Sequence, residues 1–217
     1  MSASKKKNVA IEERSSMVLF SGPTCPESHC VRFVFSEKEV VYNLSTVPNL
    51  RKPPEDLIAL NPKGHVPTLF DRNLMLYTPR IISEYIDERF PYPPLMPVEP
   101  MPRAHLRLAL NHVEECWYPS LKRILTSSAT VADRARKELK EDLLMHAEMF
   151  NAKRFCLSDE FSLLDCAIGP VLWRLSKAGI ELPPKQAQPI LNYRDQIFSR
   201  PGFIRSLTRE EHEMYLN

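Results

Sequence analysis

The 217-residue sequence lacks several features that would assign it to a protein class at once. It has only five glycines and five cysteines, and no two cysteines have the C-x-x-C spacing of redox or zinc motifs. No stretch reaches the roughly 18 consecutive apolar residues of a membrane-spanning helix, and no apolar run follows the N-terminal lysines as in a secretory signal. With an odd number of cysteines, these absences predict a cytoplasmic protein with reduced thiols and no membrane association.

The chain also lacks a strong charge of either sign, with a net charge of +2. Four basic and two acidic residues within positions 1–16 account for that excess, so the rest of the chain is balanced. Wrapping of nucleic acid requires a net basic surface, so we expect no direct sequence-specific DNA binding. Residues 1–16 are predicted to form a flexible basic tail, and the hydrophobic fraction of 43% is sufficient for a folded core in the remainder.

Proline is abundant, and its distribution divides the chain. Six of the twelve residues between 91 and 102 are proline, which has no backbone N–H and cannot lie inside a helix or a central strand. We therefore predict a stiff, extended linker at 91–102 between a domain at 17–90 and a domain at 103–217.

Residues 17–90 predict an α/β domain of βαβ–ββα order. The strands are expected at 17–20, 40–44, 66–71 and 74–77, and a first helix at 28–38 with one apolar face. A short helix is expected to start near Glu55, and a third at Pro79 with Thr78 as its cap, because proline suits a first helical turn.

Residues 103–217 predict an all-helical domain. One apolar stripe runs along a long helix with a kink near Pro119, and a capping box at Ser162 and Asp165 starts a buried helix. A final helix pair is expected between 188 and 214, split near Pro201-Gly202. We predict that Cys116, Cys156 and Cys166 are core residues; these lie at or near apolar stripes. The six histidines are scattered without the spacing of metal ligands, so no metal site is predicted.

The domain order and the sequence Val66-Pro67-Thr68-Leu69 resemble the glutathione-transferase fold, which has a thioredoxin-like domain followed by a helical domain. The resemblance implies that Pro67 is cis and that the main chain of Val66 pairs with the cysteinyl part of glutathione. Longer stretches resemble one branch of this fold, the bacterial stringent starvation protein A family. These stretches are 19–24, 28–29, 31–32, 56–58, 60–62, 84–85, 87–91, 93–98 and 157–163.

The resemblance to this branch implies a non-enzymatic transcription regulator without a cofactor. It implies a homodimer that binds RNA polymerase holoenzyme, core and sigma factor, and alters promoter choice under stress or starvation. It also implies a partner-binding surface at the linker, formed by Pro91, Tyr92, Pro93, Pro94 and Glu99. In the branch a Pro-His-Pro element contributes to a surface pocket; here Tyr92 replaces the histidine, and Glu99 replaces an expected aromatic residue. The alternative is a linker that only joins two domains.

The glutathione cleft implied by Val66 and Pro67 departs from the transferase pattern at Thr78 and Pro79. Transferases usually have a Glu/Gln-Ser pair there, which holds the γ-glutamyl carboxylate at a helix N-terminus. Proline supplies neither a hydroxyl nor an N–H, so at least one charge-assisted hydrogen bond of about 1.5–3 kcal/mol is absent. We therefore predict a vestigial glutathione cleft, which leaves open another small ligand such as a signalling nucleotide.

Cys25 supports a different function. Cys25-Pro26 stands just before the first helix, where omega-class transferases and glutaredoxin-like relatives place a nucleophilic thiol. A helix N-terminus lowers a thiol pKa, whereas the neighbouring Glu27 raises it. The alternative hypothesis is a glutathione-dependent thiol transferase of omega-like type that uses Cys25.

Overall fold

The computed structural model describes residues 17–216, so the predicted basic tail at 1–16 lies outside the described residues. The first part of the chain has the predicted βαβ–α–ββα order. Its elements are β1 (Val18–Ser21), α1 (Pro26–Glu37), β2 (Asn43–Thr46), α2 (Glu55–Leu60), β3 (Thr68–Asp71), β4 (Leu74–Tyr77) and α3 (Pro79–Arg89).

The four strands form one mixed sheet in the order β2-β1-β3-β4. β1 is parallel to β2 and antiparallel to β3, and the buried Leu19 of β1 lies between Leu44 and Leu69. β2 begins at Asn43, later than the predicted 40–44. The reason is that Glu39 and Val40 belong to the C-terminal cap of α1. Glu39 has a φ of 52°, and the N–H of Val40 donates to the carbonyl of Phe35.

The second part of the chain is helical. Its elements are α4 (Pro100–His112), a π-helical segment (Val113–Trp117), α5 (Tyr118–Thr126), α6 (Ala129–Met145), a 3-10 segment (Ala147–Phe150), α7 (Leu163–Trp173), α8 (Pro184–Phe198), α9 (Pro201–Ser206) and α10 (Arg209–Leu216). None of the helices within residues 17–216 combines the length and apolar character that crossing a bilayer requires.

A proline at a helix start corrects one boundary of the prediction. α4 begins at Pro100, inside the predicted linker of 91–102, because proline is tolerated in a first helical turn. The π-helical segment lies just before Pro119, where a kink was predicted. The predicted apolar stripe is confirmed, with six buried residues: Leu106, Leu110, Val113, Trp117, Leu121 and Ile124.

The C-terminal region contains three helices where a pair was predicted. The predicted break at Pro201 is confirmed as the start of α9. The additional break precedes α10, where the Thr208 N–H donates to Glu211 Oε2 and the Glu211 N–H donates to Thr208 Oγ1. This is a capping box, which starts a new helix only two residues after α9 ends.

Helix α1 joins the two parts of the molecule. The predicted apolar face of α1 is buried, and burial extends to every residue from Ser28 to Phe35. The cause is that α1 packs on α3 of the first part and also on α7 and α9 of the second. Helix α7 is likewise buried along its whole length, so these two helices form the centre of the core.

A buried polar network fixes the first part against the C-terminal helices. Glu211 accepts hydrogen bonds from Arg32, with Nη2 2.6 Å from Oε2, and from Arg174 at Oε1. Arg174 Nη1 also lies 3.1 Å from Nδ1 of His29, whose Nε2 lies 2.9 Å from Ser206 Oγ. Because a guanidinium can only donate, His29 is neutral with its proton on Nε2. Burial, with the charge of Arg174 next, holds the pKa of His29 well below its usual value.

Candidate functional site

The prediction placed the partner-binding surface at the connection between α3 and α4, and the structure exposes it. We call residues 91–94 the proline turn. All four of its residues are exposed, and the ring of Tyr92 is the most prominent, with 84% of its surface accessible. The following Leu95 and Met96 are buried and anchor the turn to the core. A large amphipathic ring therefore stands in solvent on a segment that is fixed at its base.

A buried ion pair supports the proline turn from below. The ammonium of Lys38, at the end of α1, donates to the carbonyl oxygens of Phe90 at 2.7 Å and Pro93 at 2.5 Å. The same Nζ lies 2.5 Å from Asp87 Oδ1, which also accepts the N–H of Leu95 at 2.8 Å. One lysine and one aspartate thus hold the main chain on both sides of the turn. This arrangement holds the main chain of the turn in one conformation.

The far side of the turn is attached to the helical part. The N–H of Leu163, the first residue of α7, donates to the carbonyl of Leu95 at 2.9 Å. The predicted capping box is present one residue earlier: Asp165 Oδ2 accepts the N–H of Ser162 at 2.8 Å, and Ser162 Oγ accepts the N–H of Leu164. The chain directly after the turn is therefore hydrogen-bonded to the first residue of the central helix α7.

The remaining predicted partner-binding residue, Glu99, is exposed and directly precedes α4. Its side chain makes no capping hydrogen bond to that helix. Between the proline turn and Glu99, the carbonyl of Pro97 accepts a hydrogen bond from Arg103 Nε at 2.9 Å. Glu99 thus presents a carboxylate on the same connection as Tyr92.

Sequence reasoning found the exposed residues of this surface but not the pair beneath it. Asp87 belongs to a stretch that resembles the stringent starvation branch. That resemblance is the only feature of the sequence that singles out Asp87. Lys38 is the last residue of the helix predicted at 28–38, and its side chain is fully buried. No local pattern indicates a lysine that contacts carbonyls more than fifty positions away along the chain.

At the predicted glutathione cleft, the cis peptide bond is present but the predicted helix cap is not. The peptide bond between Val66 and Pro67 is cis, as the resemblance implied. Thr78 precedes α3, but its side chain makes no capping hydrogen bond, so the predicted cap was wrong. A capping residue usually has an extended backbone, whereas Thr78 has a φ of 99°. With Pro79 as the first helical residue, the start of α3 lacks one backbone donor for a carboxylate.

Cys25 occupies the predicted place directly before α1, but its electrostatics oppose a thiolate. The thiol is half-buried, and its Sγ donates to Glu27 Oε2 at 3.0 Å. Burial, with the charge of Glu27 next, raises the pKa of Cys25 to about 12. Cys30, the other cysteine of α1, is buried and its pKa is also raised to about 12. The geometry therefore favours a neutral, weakly nucleophilic Cys25.

The fold also places other reactive side chains differently from the prediction, and the prediction of a buried Cys116 was wrong. Cys116 is exposed, because Val113 and Trp117 take the inward positions of the π-helical segment; Cys156 and Cys166 are buried as predicted. The histidines are not all isolated, because the fold brings His112 and His146 to the two sides of Asp142. The i,i+4 spacing of Asp142 and His146 on one helix face was the local signal for that cluster.

Comparison with known proteins agrees with the fold and the resemblance. Residues 24–89 match the family model described as "Glutathione S-transferase, N-terminal domain", and residues 103–196 match "Glutathione S-transferase, C-terminal domain". The stringent starvation protein A homolog of Coxiella burnetii is 41% identical over 202 residues, covering 93% of this chain and 96% of the relative. The homolog of Haemophilus influenzae is 42% identical over 198 residues, covering 91% and 93%.

Solved structures agree at the level of the fold. The glutathione transferase Omega 3C of Trametes versicolor superposes with a TM-score of 0.77 at 23% identity, covering 93% of this chain and 94% of that one. At this identity the likeness concerns the arrangement of the elements and not the chemistry of the site.

Proposed function

Because this chain belongs to the stringent starvation protein A family, we propose that it is a non-enzymatic transcription regulator. It binds RNA polymerase holoenzyme as a dimer, through the proline turn, and alters promoter choice under stress or starvation. The observation that carries this proposal is the combination of an exposed Tyr92 with the buried Lys38–Asp87 pair, which holds the main chain on both sides of it.

The rigidity of the proline turn favours a binding role. Ordering a flexible segment on binding costs free energy, and a segment that is already ordered avoids most of that cost. Tyrosine is enriched at the energetic centres of interfaces because its ring buries a large area and its hydroxyl can form a hydrogen bond. The mechanism is recruitment through protein surfaces, with no bond made or broken.

The exposed face of α3 and α4 supports the proposed dimer. Ile81 on α3 and Met101 and Leu108 on α4 are apolar and exposed. Between them, Arg107 Nη2 lies 2.6 Å from Glu84 Oε2, an ion pair that links the two helices. Burial of this apolar face against a second copy places the two proline turns on one assembly.

The start of α3 and the chemistry of Cys25 support the non-enzymatic part of the proposal. Pro79 removes one donor from the end of α3 that would face a carboxylate, and the raised pKa of Cys25 disfavours the thiolate. The five free thiols support a cytoplasmic location, where the polymerase is found.

The proposal is tested by co-elution with purified RNA polymerase holoenzyme on a sizing column. The wild-type chain is compared with the triple variant Pro91→Ala/Tyr92→Ala/Pro93→Ala. The control is Leu125→Ala, at an exposed apolar residue of α5 in the helical part. We expect the wild type and Leu125→Ala to co-elute and the folded triple variant to elute alone. Failure of the wild type to co-elute contradicts the regulator, and co-elution of the triple variant contradicts the assignment of the contact to the turn.

A further inference from the structure

A cluster of metal-ligating side chains lies in the helical part, apart from the proline turn. His112 ends α4, Asp142 lies in the last turns of α6, and His146 directly follows that helix. His112 Nε2 is 2.7 Å from Asp142 Oδ2, and His146 Nδ1 is 3.3 Å from Asp142 Oδ1. One ligand atom of each residue lies within 4.8 Å of the other two. All three side chains are half-buried and reach solvent.

Neighbouring groups hold this cluster in place. The indole Nε1 of Trp117, a buried residue, donates to Asp142 Oδ2 at 2.5 Å and fixes the carboxylate. His146 Nδ1 donates its proton to the main-chain carbonyl oxygen of Asp142 at 2.8 Å, one helical turn earlier, which fixes the imidazole ring and leaves Nε2 as the atom that can bind a cation. Hydrogen bonds of this kind, from an indole to a carboxylate and from an imidazole to a carbonyl, typically orient the ligands of bound metals.

A cavity of about 290 Å³ adjoins the cluster. His112 and His146 form part of its wall, together with apolar residues that include Ala109, Val113 and Met149. The cavity gives a cation at the cluster room for a water molecule or another small ligand. Three protein ligands and one open position is a common coordination of zinc.

We propose that His112, Asp142 and His146 form a binding site for a divalent transition metal, with Zn²⁺ as the cation that fits best. Two imidazoles and one carboxylate match the donor preference of zinc, whereas Mg²⁺ and Ca²⁺ prefer oxygen ligands only. Tetrahedral binding at about 2.0–2.1 Å separates neighbouring ligand atoms by about 3.3 Å. The distance from His112 Nε2 to Asp142 Oδ2 therefore opens by a little over half an ångström as the ion replaces their hydrogen bond. The bound ion joins the end of α4 to the end of α6.

The test is a calorimetric titration of Zn²⁺ into the untagged, chelator-treated chain, with Mg²⁺ as a second titrant. The ligand variants are His112→Gln, Asp142→Asn and His146→Gln, and the matched control is His105→Gln, an exposed histidine on the same helix as His112. Tryptophan emission gives an independent readout, because Trp117 contacts the ligand carboxylate. Cys116→Ser is included because an exposed thiol can itself capture zinc.

We expect the wild type, His105→Gln and Cys116→Ser to bind one Zn²⁺ per chain, with a change in tryptophan emission, and not to bind Mg²⁺. Each ligand variant is expected to bind Zn²⁺ at least tenfold more weakly while keeping its circular dichroism spectrum. The proposal is overturned if the wild type does not bind Zn²⁺, if all three ligand variants keep wild-type affinity, or if Cys116→Ser alone removes binding.

Discussion

The ion pair beneath the proline turn is the feature whose loss we can predict in most detail. In Lys38→Met, the carboxylate of Asp87 keeps the N–H of Leu95 but loses its only counter-ion among the contacts described. The carbonyls of Phe90 and Pro93 lose the donor that joins them. The variant therefore leaves a buried charge unpaired and releases the base of the turn.

The magnitude follows from the burial of both partners. The Lys38 side chain is 0% exposed and that of Asp87 is 8% exposed, so solvent screening is weak. Breaking such a pair costs about 3–5 kcal/mol of unfolding free energy, because one charge stays buried without compensation. An exposed pair would cost about 0–1 kcal/mol. The two possibilities are far enough apart for one denaturation experiment to decide between them.

Urea unfolding of wild type, Lys38→Met, Asp87→Asn and the double variant measures both the loss and the coupling. Asp87→Asn removes the charge but keeps an oxygen for the N–H of Leu95, so we expect a smaller loss than for Lys38→Met. The double variant is expected to lose less than the sum of the singles by about 1 kcal/mol or more, because no unpaired charge remains. The control Lys177→Met, at an exposed residue, should stay within about 0.5 kcal/mol of wild type. A loss below about 1 kcal/mol for Lys38→Met, or strict additivity in the double variant, would refute this reasoning.

Four further predictions concern the core and the cysteine. Glu211→Ala leaves two buried arginines unpaired and should lower the unfolding free energy by about 3–5 kcal/mol, whereas the exposed Glu210→Ala should not; equal effects would contradict the network. Ser162→Ala removes the cap of α7 and should cost about 1–2 kcal/mol in urea unfolding; no measurable loss would mean that the cap is dispensable. His29 stays neutral in the fold while the unfolded chain takes up a proton below about pH 6.5, so its contribution to stability is present above that pH and is lost on acidification. The unfolding free energy of wild type should therefore fall relative to His29→Gln between pH 7 and pH 5, and a constant difference would contradict the lowered pKa. Alkylation of Cys25 should stay slow through neutral pH and accelerate only in strong alkali; a fast plateau at pH 7 would instead support the thiol transferase.

Local signals in the sequence predicted most of the fold. Each of these signals involves residues that are close in the sequence. They are the three- and four-residue spacing of the stripe from Leu106 to Ile124, the capping box at Ser162, and the prolines at the starts of α3 and α9. The third C-terminal helix was predictable in principle, because Thr208 and Glu211 have capping-box spacing.

Pairs of residues that lie far apart in the sequence could not be predicted in this way. Lys38 meets the carbonyl of Phe90 across 52 positions of sequence, and Arg32 meets Glu211 across 179. Such pairs leave no periodic pattern, and each member alone resembles an ordinary surface charge. His112 is likewise separated from Asp142 by 30 positions, and only the tertiary fold brings the two side chains together.

The affinity of the chain for RNA polymerase holoenzyme, measured for wild type and for Tyr92→Ala, tests the central claim most directly. A tyrosine at the energetic centre of an interface contributes about 2 kcal/mol or more, so Tyr92→Ala should weaken binding roughly thirtyfold. Leu125→Ala should bind like wild type. Saturable binding by wild type with that loss is the predicted result; absence of binding by wild type, or equal affinities for wild type and Tyr92→Ala, would contradict the account.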